Sequence, residues 1–155
     1  GPKEILLAAL DAARRELLAC AALIPPAERA TRPVCGTWTL QDVLAHIAAW
    51  EWLGAEALRH MAAGQPPAVE LVADIDTWNQ AQVEARRGQP WAVIQDEVDT
   101  ARHALLEALE HIDEDRPTAG RASMQSTTAN TPVTCTPGHR CRFLKRLERG
   151  KEWGA

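Results

Sequence analysis

The stretch Thr37-Trp38-Thr39-Leu40-Gln41-Asp42-Val43-Leu44-Ala45-His46-Ile47-Ala48-Ala49-Trp50-Glu51 constrains this chain more than any other. It opens on a helix start. The Thr39 hydroxyl can accept from the backbone N–H three residues on, where Asp42 stands, which makes a capping box with Asp in place of the usual Glu or Gln. Asp42 also puts negative charge in the first turn, where the helix dipole favours it. Apolar or part-apolar residues then recur at Val43, His46, Ile47, Trp50, Leu53, Ala57 and His60, the three-four spacing of one helical stripe. The pattern predicts a helix from Leu40 to Ala63, about 35 Å long at the α-helical rise, stopped by Gly64-Gln65-Pro66-Pro67. His46 falls on its buried side, one turn before an indole, and a polar ring placed there needs a partner.

The rest of the chain reads as more helices separated by breakers. Lys3 to Leu23 carries a stripe at Leu6, Leu10, Ala13, Leu17 and Cys20, and Pro25-Pro26 ends it because proline removes a ladder donor and restricts its predecessor. Ala27 to Gly36 is a connection. From Glu70 to Gly88, the residues Leu71, Ile75 and Trp78 suggest a shorter helix closed by Gly88. Pro90 suits a first helical position, and Ile94, Val98, Ala101, Leu105, Leu109 and Ile112 then form the clearest stripe, with Asp96, Asp99, His103, Glu107 and Glu110 on a solvated face. Thr118 to Thr134 is rich in Thr, Ser, Ala and Asn without periodicity and reads as a long polar loop. Thr136-Pro137 opens a last helix running through Phe143, Leu144 and Leu147.

With no Tyr and a single Phe, strand formers are scarce, so the expected class is all-α, in one domain over residues 1–155. No apolar run approaches the ~20 residues that cross a bilayer, so no membrane partner is expected and the chain reads as cytoplasmic. Residues 1–115 hold 9 Lys+Arg against 19 Asp+Glu, and residues 116–155 hold 8 against 2. That basic tail reads as a last helix packing on an acidic remainder, which leaves no nucleic-acid partner expected. Four cysteines without a CxxC give no disulfide framework.

Candidates for chemistry are few, since no Walker loop, GxSxG, HExxH or double CxxC occurs. His46 is either a hydrogen-bonded core histidine or a ligand. Trp38, Trp50 and Trp78 either line a cleft near it or pack the core. Of the two carboxylates nearby in sequence, Asp42 shares its face better than Glu51, and Asp42 already has a capping role. His60 lies about 21 Å along the helix axis, too far to share one metal. His103 and His111 read as solvent-facing, Cys20 and Cys141 as small apolar residues.

The Trp38 and Thr39 pair, Asp42-Val43-Leu44-Ala45-His46 and Trp50-Glu51 together resemble the DinB-like superfamily, with the ClbS/DfsB branch as the nearest match. Asp76-Thr77-Trp78-Asn79 resembles the Asn-bearing stretch of that branch. The resemblance implies a four-helix bundle, here with an extra short helix and a long polar loop before the last helix. It implies that His46 is the first metal-binding histidine, aimed into a cleft. The other two ligands of many members form His-x-x-x-His on the last helix; here one register makes His139 the first of the pair and loses the second to Phe143, and the other pairs Cys135 with His139 across Pro137-Gly138, so that the resemblance implies His46, His139 and Cys135 as the metal set. Gly138-His139-Arg140 resembles the Ser-His-Tyr motif of the ClbS/DfsB branch with its Tyr lost. Such a donor set suits Zn or Ni. The implied activity is a hydrolase or transferase acting on a small electrophilic substrate, protective in role, with His46 and His139 catalytic. The alternative is a non-enzymatic binding or dimerisation module with a degenerate metal site. Members commonly pair, and Leu44, Trp52 and Leu58 on a second face of the central helix suggest a two-fold homodimer.

Overall fold

The computed structural model describes residues 1–66 and 74–113. Over these residues the class is all-α, with four helices and one small hairpin, and Gly1–Asp113 form one compact unit. The Thr118–Thr134 loop, the last helix, Cys135, His139, Cys141 and Phe143 lie outside the described residues.

Helix α1 (Pro2–Ala22) leads through a 3-10 turn (Pro26–Glu28) into two short antiparallel strands, β1 (Pro33–Cys35) and β2 (Trp38–Thr39). Pro33 pairs with Thr39 and Cys35 with Trp38 across a bulge. The connection expected over Ala27 to Gly36 is thus a hairpin. Gly36 turns it at φ +58°, a left-handed conformation that costs glycine nothing. The hairpin delivers Trp38 and Thr39 directly onto helix α2 (Leu40–Ala62), where Asp42 N–H donates to Thr39 Oγ1 at 3.2 Å and Thr39 N–H donates to Asp42 Oδ2 at 3.0 Å. Both halves of the capping box form as the sequence predicts.

The first half of α2 is buried almost all round, from Leu40 to His46, which a single stripe does not account for. Its neighbours explain this. Helix α4 (Trp91–Glu110) runs parallel to α2: Glu51 meets Arg102, Gly54 faces Leu105, and Ala55 packs with Ala104 and Ala108. Small residues permit this close approach; a Cβ on Gly54 would stand 3.2 Å from Leu105 Cδ1. Trp52, Leu58 and Leu105 close over the same cluster, and Leu44 is buried. Part of the second apolar face of α2 is therefore packed against α4 within the chain, while Trp52 and Leu58 stay half-buried. Ile94, Val98, Ala101 and Leu109 of α4 are buried as expected, and Pro90 is the N-cap rather than the first helical residue.

Helix α3 (Ile75–Arg86) runs back along α2, with Asn79 near Trp50 at its start and Arg87 near Asp42 at its end. Asp74 caps it by accepting from Thr77 N–H at 3.1 Å, and Gly88 closes it at φ +82°. An Arg86–Glu97 pair, bonded from Nε and Nη2 at 2.8–3.0 Å, ties α3 to α4.

Helix α1 keeps part of the expected stripe, with Cys20 buried and Leu10 and Leu17 half-buried, and departs from it at the other two positions. Leu6 is 44% exposed and Ala13 is exposed, whereas Arg14 is turned inward. Its buried carboxylate partner is Glu51. Arg14 donates to both Glu51 oxygens at 3.0 and 2.8 Å, Arg102 of α4 donates to Oε1 from Nε at 3.0 Å, and Arg102 also reaches Leu10 O at 2.8 Å. One charged triad thus joins α1, α2 and α4. No described helix is long and apolar enough to cross a membrane.

Candidate functional site around His46

His46 is 2% exposed. The hairpin brings Trp38 against it, ring centroids 5.1 Å apart, and the next turn of α2 brings Trp50 edge-on at 6.4 Å. Trp78 of α3 continues the wall 4.8 Å from Trp50. The three tryptophans singled out in the sequence thus form one aromatic wall in which His46 stands between Trp38 and Trp50. Helix α3 holds two of them in place: Trp50 Nε1 donates to Asn79 Oδ1 at 2.8 Å, and Trp38 Nε1 donates to Gln80 Oε1 at 3.1 Å. Asn79 is itself buried, so the amide can be kept there only because the indole satisfies it.

The imidazole Nδ1 is buried and has no hydrogen-bond partner among the described residues. Burial lowers the His46 pKa to about 4, because apolar surroundings disfavour the imidazolium. The ring is neutral at neutral pH and retains a lone pair. That is the state required of a metal ligand or a general base.

Neither carboxylate considered from the sequence assists it. Asp42 is spent on the Thr39 N–H and on Arg87 Nε at 3.4 Å. Glu51 is held by Arg14 and Arg102, two arginines inside a core that have no periodic signature in the sequence. His60 Nδ1 lies 3.0 Å from Pro66 O, His111 Nδ1 lies 2.8 Å from Glu107 O, and His103 is exposed. Among the described residues no three His, Cys, Asp or Glu side chains come together as a metal set. Gln80 had no sequence signal; Asn79 had one only through the stretch that resembles the family.

A family model described as the DinB superfamily matches residues 9–132. The chain belongs to the DinB superfamily. No curated protein and no solved structure matches it. The family match spans the hairpin, α2, α3 and α4, and so contains His46 and its whole tryptophan wall.

Proposed function

We propose that this DinB superfamily protein is a hydrolase or transferase for a small electrophilic molecule, protective in role and of the ClbS/DfsB type, with His46 at its reacting centre. One observation carries the reading: a neutral imidazole whose Nδ1 has no partner among the described residues, buried beside a wall of indoles. An isolated polar atom in a core costs stability of about 1–3 kcal/mol, and a chain keeps such an atom most readily where a ligand completes it. His46 fits one position of a Zn or Ni site. The remaining donors would come from outside the described residues, with His139 and Cys135 as the side chains the sequence offers. Such an ion supplies Lewis acidity and a lowered pKa for bound water.

The chain's own part is to orient and to dry the centre. The Thr39–Asp42 cap fixes where α2 begins and hence the height of His46. Asn79 and Gln80 fix the two indoles, which exclude water and offer apolar surface to a substrate. A cytoplasmic setting and a homodimer go with this reading; pairing would use a surface other than the α2 face that α4 covers.

The test is elemental analysis of protein purified without a nickel column, together with turnover of thiol-reactive and epoxide substrates. Stoichiometric Zn or Ni in the wild type, lost in His46→Ala with helix content retained, is the expected result. Tight metal that survives His46→Ala removes the site. Phe143, standing where many members carry a further histidine, favours a second reading, a binding module with a degenerate centre. Absence of both metal and turnover would establish that reading.

A further inference from the structure

The two amides that hold the indoles beside His46 are not equivalent. Asn79 is 3% exposed, and its bond to Trp50 Nε1–H joins one helix to another inside the core. Trp38 and Gln80 are both half-buried, and Trp38 stands on a strand of only two residues, just past the Gly36 turn. Their bond of 3.1 Å lies closer to water. The Gln80 amide is fixed from its other end. An indole N–H is a donor only and a carboxylate an acceptor only. Trp38 therefore takes the Gln80 carbonyl, while Gln80 Nε2 donates to Glu84 Oε1 at 2.9 Å, one turn further along α3. Glu84 is exposed, so the chain Glu84, Gln80, Trp38 runs from solvent to the ring that packs on His46.

We propose that Gln80 is a positioning residue that latches Trp38 over His46, with Glu84 orienting its amide, and that a small substrate reaches His46 on this side. The proposal rests on the reading of His46 as the reacting centre. Local openings draw on the most weakly held contacts of a structure. The other ring against His46, Trp50, belongs to α2 itself and is pinned by a buried amide, so moving it disturbs two helices. Trp38 swings with its short strand once a single hydrogen bond is exchanged for one to water. The net worth of such a bond corresponds to about a two- to tenfold bias in an equilibrium. That is enough to keep the indole shut over a dry imidazole and small enough to let it open.

The experiment uses the full chain labelled with ¹⁵N-tryptophan and reads two rates. One is hydrogen exchange of the Trp38 indole N–H. The other is modification of His46 by diethyl pyrocarbonate, followed by mass spectrometry after a chelator has removed any bound ion. His46 is neutral at neutral pH, so the second rate reports access and not charge. His103, which is exposed, supplies the unhindered rate in the same sample. Gln80→Leu should speed both rates about two- to tenfold and leave the Trp50 indole unchanged. The exchanged pair, Gln80→Glu with Glu84→Gln, keeps an acceptor for Trp38 and a donor behind it, and should return both rates to the wild-type values. If Gln80→Leu fails to fold, Glu84→Ala serves instead: at an exposed position it frees the amide to rotate, and should raise both rates about twofold. Unchanged Trp38 exchange would show that Gln80 does not hold the indole. Faster Trp38 exchange with His46 modified no faster would place the way in elsewhere. An exchanged pair as fast as Gln80→Leu would remove Glu84 from the latch. Each of these results overturns the proposal. Neither rate depends on metal or turnover, so a failure of the latch and a failure of His46 as the reacting centre are told apart.

Discussion

Replacing Glu51 with Gln tests the joint between three helices. The Glu51 side chain is 9% exposed, and those of Arg14 and Arg102 are 10% and 15% exposed, so the two guanidinium groups share one buried carboxylate. Glu51→Gln keeps the volume and one acceptor but removes the charge, leaving two desolvated cations facing each other across α2. Breaking a buried pair in this way costs about 3–5 kcal/mol, most of it the penalty of the stranded charge. Because a domain's whole stability is only about 5–15 kcal/mol, the loss is a large fraction of it. In urea, with a slope of ~1–3 kcal/mol per molar, the unfolding midpoint should fall by about 1–5 M at unchanged slope. An apolar triple variant, Arg14→Met with Glu51→Leu and Arg102→Met, should recover most of that loss, since a well-packed apolar replacement of a buried triad is often neutral or better. A Glu51→Gln midpoint within experimental scatter of the wild type would refute the argument, as would a triple variant no more stable than the single one. The first result would mean that solvent reaches the arginines, the second that packing rather than charge sets the cost.

In metal-free protein, stability should also depend on pH through His46. Its folded pKa is about 4 against 6.5 for the free side chain, so between those values the unfolded chain binds the extra proton, and stability falls as pH drops through 6.5 towards 4. The full loss is about 3 kcal/mol at ~1.4 kcal/mol per pKa unit; urea midpoints across that window should flatten in His46→Gln, and an equal slope in that variant would assign the dependence to other groups. Asn79→Leu should cost about 1–3 kcal/mol by stranding the Trp50 Nε1–H, and should change the near-ultraviolet dichroism of the indoles; an unaltered spectrum would show that α3 does not hold the wall.

The elements of this protein are local enough to be written in the sequence. The Thr39–Asp42 box, the stripe of α4 and the stops at Gly64 and Gly88 each follow from residues within a turn or two of one another, which is the range over which caps, dipoles and φ > 0 act. His46 could likewise be placed on an inner face, and the DinB resemblance carried by its neighbours is confirmed at the level of the superfamily. Partnership was decided only in three dimensions. Arg14 has no place in the apolar stripe of α1, yet it is turned inward where α2 brings Glu51 beneath it. Leu44, Trp52 and Leu58 read as a spare face, yet Leu44 is buried and the other two pack, half-buried, on the cluster that α2 forms with α4. The hairpin was hidden because its two strands supply only five residues and depend on one glycine in a left-handed turn. Periodicity reports which side of a helix is apolar. It carries no information on which distant residue meets a buried charge, because that depends on helix direction and register, and these are fixed by side chains interlocking across the core.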